Sequence, residues 1–298
     1  MNVLVTGSDG QLGNEIRENI TDKNKWFFYP HQQLDILDEK QIARVLLDNN
    51  INVVVNCAAY TNFDGCKLDE QRAYEINALG PENLAKALAK RNGILLHVSS
   101  DYVFDGKKRW GKYKPSDVPN PISVYGKSKN LGDQKIKQTN CKYLIFRVSW
   151  LYGGKVKKNF VKTIFEKLEN EDTFGVVNDQ TGTPTYVKDF AKFIVEILDK
   201  FTIQELKDRC GIYHFANKGK TTWYHLSKQI KKYKNKYEPY FRSSCKIKKL
   251  KTSDYPSMDT RPTYSPLSIK KTERVFEYLG RNWKKALKEC IIKYIKEK

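Results

Sequence analysis

A glycine-rich loop begins at the seventh residue of the chain and constrains the fold more than any other feature. The loop, G-S-D-G-Q-L-G over 7–13, follows a short apolar run and opens a segment over 13–20 that we predict to be helical. Its glycines, Gly7, Gly10 and Gly13, permit a tight turn and let the backbone approach a pyrophosphate at the N-terminus of the helix. A strand, a glycine loop and a helix in this order predict a dinucleotide-binding domain.

The rest of the N-terminal half alternates short apolar runs with amphipathic segments. We predict strands over 26–29, 53–56, 94–98 and 143–148, and helices over 39–48, 81–91 and 125–137. The apolar runs are continuous, which is typical of parallel strands covered by helices on both faces. We therefore predict an α/β fold with a doubly wound, Rossmann-like parallel sheet in residues 1–150.

The C-terminal half gives a more mixed pattern. It predicts helices over 159–168 and 189–198, an irregular or short-stranded region over 237–266, and a final helix whose apolar residues recur every fourth position over 283–295. We assign residues 151–298 mainly to a smaller substrate-binding lobe, with some later elements returning to the main sheet.

The charge and cysteine content narrow the class of protein. The chain carries 54 basic and 34 acidic residues, a formal net charge of +20, but no recognisable nucleic-acid module. We therefore expect attraction of an anionic small substrate and no nucleic-acid partner. The six cysteines are scattered without a C-x-x-C pair, which favours free thiols. Without a long apolar run or a signal peptide, we expect no membrane association and a cytoplasmic location.

A second motif, S-V-Y-G-K-S-K over 123–129, carries the candidate chemistry. Tyr125 and Lys129 are four residues apart, so on a helix their side chains share one face. An ammonium beside a phenol favours the phenolate, lowers the tyrosine pKa and makes a proton shuttle. Such a spacing alone also fits an ordinary surface helix. Together with the glycine loop it predicts hydride chemistry with a nicotinamide cofactor.

Eight segments along nearly the whole chain resemble, in order, the dTDP-4-dehydrorhamnose reductases of the extended short-chain dehydrogenase/reductase group. They are G-S-D-G-Q-L-G, N-C-A-A-Y-T-N, S-S-D-Y-V-F-D-G, P-N-P-I-S-V-Y-G-K-S-K, F-R-V-S-W-L-Y-G, N-F-V-K-T, V-N-D-Q-T-G-T-P-T-Y and R-P-T-Y-S. The resemblance implies reduction of the C4 ketone of dTDP-4-dehydro-β-L-rhamnose to dTDP-L-rhamnose, a precursor of cell-surface polysaccharide, with NADPH or NADH. It is also compatible with a homodimer.

The resemblance implies a role for each matching residue. The catalytic set is Ser100, Tyr125 and Lys129, with serine in a slot where the family usually has threonine. The cofactor set is Gly7, Gly10, Gln11, Leu12, Gly13, Asp35, Ile36, Ala58, Ala59, Tyr60, Tyr125 and Lys129. The substrate set is Ser100, Asp101, Tyr102, Trp150 and Arg261. Tyr125 would protonate the ketone oxygen, Ser100 would hydrogen-bond it, and Lys129 would hold the nicotinamide ribose.

The cofactor and metal predictions depend on departures from common patterns. Pro30 and His31 stand where an NAD enzyme often has a carboxylate, and the nearest acid is Asp35, so the choice between NAD and NADP stays open. Some relatives bind Mg²⁺ at a dimer interface. Glu15 keeps one such position, but lysines replace the acid expected after Trp283, and we predict no metal there.

Two alternatives stay open at this stage. The first keeps the chemistry and changes the substrate to another nucleotide-linked 4-keto-6-deoxy sugar. The second is a non-catalytic, NADP-binding regulatory subunit similar to the β subunit of methionine adenosyltransferase. The intact Ser100, Tyr125 and Lys129 argue against this second alternative.

Overall fold

The computed structural model describes residues 1–155 and 159–298. Its strands are β1 (Asn2–Thr6), β2 (Lys25–Tyr29), β3 (Val53–Asn56), β4 (Ile94–Ser100), β5 (Lys142–Val148), β6 (Leu151–Tyr152), β7 (Thr173–Val177), β8 (Thr181–Gly182), β9 (Thr185–Tyr186), β10 (Gly211–Phe215), β11 (Thr221–Thr222) and β12 (Lys246–Leu250). Its helices are α1 (Gln11–Arg17), α2 (Glu39–Asp48), α3 (Phe63–Leu68), α4 (Glu70–Tyr74), α5 (Gly80–Ala89), α6 (Val124–Gln138), α7 (Phe160–Asn170), α8 (Val187–Lys200), α9 (Ile203–Asp208), α10 (Trp223–Tyr237), α11 (Lys270–Phe276) and α12 (Trp283–Lys296).

The main sheet has the strand order β2-β1-β3-β4-β5-β10, and every pair in it is parallel. The predicted doubly wound α/β fold is therefore confirmed. The chain moves outward from β1 to β2 and then crosses back to β3 on the other side of β1. The order reverses at β1 and β3, and the crevice outside their carboxyl ends is where open α/β sheets bind ligands.

The strands contribute side chains to two apolar layers, one on each face of the sheet. In β1, Val3 and Val5 belong to one buried cluster, whereas Leu4 between them belongs to the other. Val54 of β3 likewise faces the layer opposite to its two neighbours. Because helices cover both faces, positions 3–5 of β1 and 53–55 of β3 are all apolar, which explains the continuous hydrophobic runs.

A third apolar cluster forms the interior of the C-terminal lobe, which we define as α7, β7, α10, β12 and α12. Ile164, Leu226 and Leu287 pack together there, and β12 pairs with β7. By contrast, α8 contributes Phe190 to a main-sheet cluster, and β10 pairs with β5. The chain thus leaves the main sheet after β5 and comes back to it before α10.

Two local differences from the predicted elements have physical causes. The first helix begins at Gln11, inside the glycine loop, because α1 starts directly after the tight turn. Pro81 does not begin a helix, since a π-helical turn over Glu75–Leu79 joins α4 to α5 without a break. Asn77 in this turn is buried. Its Oδ1 accepts a hydrogen bond from the backbone N–H of Tyr60 at 2.9 Å, and its Nδ2 donates to the Tyr60 carbonyl at 3.0 Å. Within the described ranges, no helix combines the length and apolar character needed to cross a membrane.

Candidate active site

A cleft of about 470 Å³ lies at the carboxyl ends of the central strands, between the main sheet and the C-terminal lobe. The predicted residues that line it are Gly10, Gln11, Leu12, Ala59, Ser100, Asp101, Tyr102, Tyr125, Lys129, Trp150 and Arg261. Lining residues that were not predicted are Cys57, Thr61, Phe63, Val98, Ser99, Val148, Leu151, Asn159, Phe160 and Trp223. A cleft of this size is typical of a small-molecule site.

The glycine loop forms one wall of the cleft and leaves no room for side chains at its two ends. Gly7 has a φ of +58°, and a Cβ atom there would lie 2.7 Å from Cα of Ala58. A Cβ atom on Gly13 would lie 2.5 Å from Cα of Ser8. Gly10 caps α1 without a side-chain hydrogen bond, so the first helical amides are not covered by a capping side chain. These features fit a pyrophosphate held by backbone N–H groups.

Asp35 and Ile36, two predicted cofactor residues, do not line the cleft. The Asp35 carboxylate accepts a hydrogen bond from the backbone N–H of Leu37 at 2.9 Å and so stabilises its own turn. Ile36 is buried in an apolar cluster and packs against Gly80. Ala58 supports the glycine loop from the end of β3, and the Tyr60 peptide is held by Asn77. Contacts of these residues with an adenosine stay predictions.

Tyr125 and Lys129 lie on the first turns of α6, and α6 packs tightly against the end of β4. The Ser123 side chain caps this helix by accepting a hydrogen bond from the backbone N–H of Gly126. Lys129 is fully buried, and its Nζ donates to the carbonyl of Val98 at 2.8 Å. Burial lowers the pKa of Lys129 to about 8. Its ammonium is therefore close to its point of deprotonation near neutral pH.

The tyrosine departs from the expectation that Lys129 lowers its pKa. Burial raises the pKa of the Tyr125 phenol, and the hydrogen bond with Ser100 opposes the rise without cancelling it. The desolvation of a buried phenolate is the largest effect, as expected where water is excluded. Tyr125 is therefore a protonated acid that holds its proton in the cleft.

Ser100 and Asp101 end β4 at the floor of the cleft. Oγ of Ser100 accepts a hydrogen bond from the backbone N–H of Tyr102 at 3.2 Å and donates to the Asp101 carboxylate at 3.4 Å. The other carboxylate oxygen of Asp101 accepts from Ser149 at 3.1 Å and from Ser265 at 2.5 Å. Burial raises the pKa of Asp101 to about 7. This carboxyl group therefore joins β4, the end of β5 and the R-P-T-Y-S segment.

Arg261 enters the cleft from the R-P-T-Y-S segment. Its guanidinium lies over the Phe63 ring at 4.0 Å and donates to the Tyr102 hydroxyl at 3.1 Å. In the described part of the chain no carboxylate lies within ion-pair distance of it. Arg261 is therefore a cation on the wall of the cleft.

Trp150 forms the opposite wall together with Trp223, which was not predicted from the sequence. Its indole stacks on Trp223, with ring centroids 3.5 Å apart and planes at 10°. Gly182 leaves space for the Trp150 ring, because a Cβ atom there would lie 2.4 Å from it. The ring of Trp223 also packs against that of Phe160, with ring centroids 4.4 Å apart. Phe160 stands in the N-F-V-K-T motif, whereas Trp223 lies in none of the eight segments, and no helix was predicted there.

No group of three or more histidine, cysteine, aspartate or glutamate side chains suited to a metal ion occurs in residues 1–155 and 159–298. Glu15, which the resemblance linked to a possible Mg²⁺ site, is buried beside Lys293 and Lys188. Two lysines near the carboxylate do not fit a dication.

A parallel sheet with a glycine loop at its switch point and a Ser-Tyr-Lys set in the adjoining cleft is the architecture of a nicotinamide-dependent short-chain dehydrogenase/reductase. The profile of the RmlD substrate binding domain family matches residues 1–295. The chain therefore belongs to this family, the dTDP-4-dehydrorhamnose reductases.

Individual relatives cover nearly the whole chain. A dTDP-4-dehydrorhamnose reductase of Aggregatibacter actinomycetemcomitans is 35% identical over 96% of this chain and 97% of its own. The crystal structure of a dTDP-4-dehydrorhamnose reductase from Bacillus anthracis in complex with NADP has a TM-score of 0.88 and 31% identity, covering 98% of this chain and 99% of that one. A dTDP-4-dehydrorhamnose reductase from Clostridium acetobutylicum has a TM-score of 0.88 and 35% identity, covering 98% of both chains.

Proposed function

We propose that this protein reduces the C4 ketone of dTDP-4-dehydro-β-L-rhamnose to dTDP-L-rhamnose, with NADPH or NADH as the hydride donor. The observation that carries the proposal is the meeting of Ser100, Tyr125 and Lys129 with the glycine loop in one cleft. The names of the relatives and the NADP in the Bacillus anthracis structure support the same reaction. The homodimer and the cytoplasmic location stay predictions from the sequence.

The residues of the cleft divide the work of the reaction. The bound nicotinamide supplies the hydride. Tyr125 keeps its proton at neutral pH and donates it to the ketone oxygen as negative charge develops there. The Ser100 hydroxyl hydrogen-bonds the same oxygen. The Lys129 ammonium would stabilise the phenolate that Tyr125 becomes and would hold the ribose of a bound nicotinamide cofactor.

The cleft also offers a binding surface for the rest of a nucleotide sugar. We assign the substrate contacts to Ser100, Asp101, Tyr102, Trp150 and Arg261. The guanidinium of Arg261 has no carboxylate partner in the described chain and matches the oxygens of a diphosphate. The stacked pair of Trp150 and Trp223 offers an apolar wall to the sugar. The C-terminal lobe is thus assigned to substrate binding, and the glycine loop to the cofactor.

The function is tested by following the oxidation of NADPH and of NADH with a panel of nucleotide-linked 4-keto-6-deoxy sugars. We expect turnover of dTDP-4-dehydro-β-L-rhamnose. Turnover of a different sugar alone would replace the substrate and keep the chemistry. No turnover of any sugar, with NADP still bound, would favour the regulatory subunit.

A further inference from the structure

Three polar side chains form a row inside the apolar interior of the main sheet. Thr6, Asn56 and His97 are register partners on the adjacent strands β1, β3 and β4, and all three are fully buried. Oγ1 of Thr6 donates to Oδ1 of Asn56 at 2.7 Å. The Asn56 amide nitrogen lies 3.1 Å from Nδ1 of His97. Because such groups are costly to bury in a valine-rich core, their arrangement calls for a function.

The row fixes which nitrogen of His97 carries the proton. The backbone N–H of Ala58 can only donate, and it points at Oδ1 of Asn56 at 3.2 Å. This contact sets the orientation of the amide, so the Asn56 NH₂ group faces the imidazole and donates to Nδ1. Burial lowers the pKa of His97, which keeps the ring neutral. A neutral ring whose Nδ1 accepts must carry its proton on Nε2.

The protonated nitrogen of His97 faces the lysine of the catalytic set. Nε2 of His97 lies 3.4 Å from Nζ of Lys129, and Nζ already donates to the Val98 carbonyl. An ammonium cannot accept a hydrogen bond, whereas a neutral amine can. The imidazole therefore favours the amine. Asp133 on the same helix acts on Lys129 in the opposite direction and favours the ammonium. Cys66 on α3 would do so only as a thiolate, and burial raises the pKa of this thiol to about 11.

We propose that the row of Thr6, Asn56 and His97 is a positioning device that stabilises Lys129 as a neutral amine at one step of the reaction. The inference rests on the proposed function. After Tyr125 gives its phenolic proton to the ketone oxygen, the site must recover one proton from solvent. In the proposed relay the Lys129 ammonium releases a proton toward the phenolate, the resulting amine accepts the Nε2–H of His97, and one proton taken up from solvent restores the ammonium. His97 thus acts through Lys129 and contacts no substrate.

The tautomer can be measured without any turnover. The chain has four histidines, so the ring nitrogens of His97 can be resolved in the ¹⁵N NMR spectrum of the labelled protein and assigned with His97→Phe. We expect a protonated Nε2 and an unprotonated Nδ1 across the neutral range. The reverse tautomer, or an imidazolium, would overturn the inference.

An isosteric variant at Asn56 is expected to reverse the tautomer of His97. In Asn56→Asp the carboxylate accepts from Nδ1–H, so Nε2 becomes an acceptor for the Lys129 ammonium. We expect the midpoint of the Lys129 titration, followed by ¹³Cε NMR, to rise by about one pH unit or more. The double variant Asn56→Asp with His97→Phe isolates the direct effect of the new charge. An equal rise in the single and double variants would contradict a role for the tautomer.

A matched control keeps the ring orientation. Thr6→Val removes one donor to Asn56 but leaves the Ala58 N–H in place, so we expect the Nε2–H tautomer to persist. Loss of the tautomer in this variant would contradict the assigned role of Ala58. An inactive protein with the Nε2–H tautomer would contradict the proposed function alone. An active reductase with the reverse tautomer would contradict this inference alone.

Discussion

The indole of Trp150 stacks on the indole of Trp223 with ring centroids 3.5 Å apart. Trp150 follows β5 of the main sheet, whereas Trp223 begins α10 of the C-terminal lobe. The pair therefore joins the two parts of the molecule at the cleft. Trp150 has a φ of 50°, an uncommon backbone conformation for a side chain of this size. Such strain at the wall of a cleft indicates that the position of the indole serves ligand binding.

Trp223→Ala tests this wall. The change removes the ring behind Trp150 and opens the sugar side of the cleft, so we expect KM for the nucleotide sugar to rise about tenfold, a loss of roughly 1.4 kcal/mol. Affinity for NADPH, measured by fluorescence titration, should stay within twofold. Trp110 is 84% exposed, and Trp110→Ala is the matched control with no expected change. A rise in KM in both variants would show that the effect does not come from the loss of the ring behind Trp150.

Gly7→Ala tests the contact between the glycine loop and β3. The new methyl group meets the backbone of Ala58, and it also carries the strain of a positive φ. Gly111 has a φ of +74° with no atom within 4 Å of an added Cβ, so Gly111→Ala carries the strain alone. We expect NADPH affinity to fall by more than tenfold in the first variant only. Equal losses would assign the effect to backbone strain.

Asp101→Asn tests the buried carboxyl group under the cleft. The folded pKa of about 7 is above the ordinary value of 3.8, so the folded state binds the proton more tightly than the unfolded state. Its contribution to stability is fully present below about pH 4 and is lost as pH rises through about 7. The melting temperature of the wild type, relative to that of the variant, should fall by about 2 °C or more between pH 4 and pH 8. A constant difference would contradict the raised pKa.

The pH dependence of turnover tests the state of Lys129. With a pKa of about 8, the ammonium fraction falls as pH rises through that value, while the raised pKa of Tyr125 keeps the phenol protonated. We expect kcat for ketone reduction to fall above about pH 8. Lys129→Arg should have a lower kcat that does not fall above pH 8, because a guanidinium stays charged. The same fall of kcat above pH 8 in both proteins would show that a group other than Lys129 titrates.

Local patterns predicted the fold and the centre of the site. The apolar runs of β1, β3 and β4 lie between helices on both faces, so their hydrophobicity alone identified parallel strands. The glycine loop and the Tyr125–Lys129 spacing are likewise local, since each is completed within one or two turns of chain. Such features need no knowledge of distant contacts.

Distant contacts account for what the sequence could not give. Ser265 reaches Asp101 over a separation of 164 residues, and nothing in either segment announces this hydrogen bond. Trp223 enters the cleft only because α10 packs against the other elements of the C-terminal lobe. The Tyr125 pKa is raised because the surrounding elements exclude water, so the effect of a neighbouring lysine could not be judged from spacing. Burial is a property of the assembled fold.

The central claim is that Tyr125 supplies the proton for ketone reduction. It is tested most directly by the rate of NADPH oxidation at pH 7 with dTDP-4-dehydro-β-L-rhamnose, comparing the wild type with Tyr125→Phe. Tyr240→Phe, at a fully exposed tyrosine, serves as the matched control. We predict that the control keeps the wild-type rate and that kcat of Tyr125→Phe falls by at least about 100-fold at unchanged melting temperature. A Tyr125→Phe protein that reduces the sugar at the wild-type rate would contradict the account.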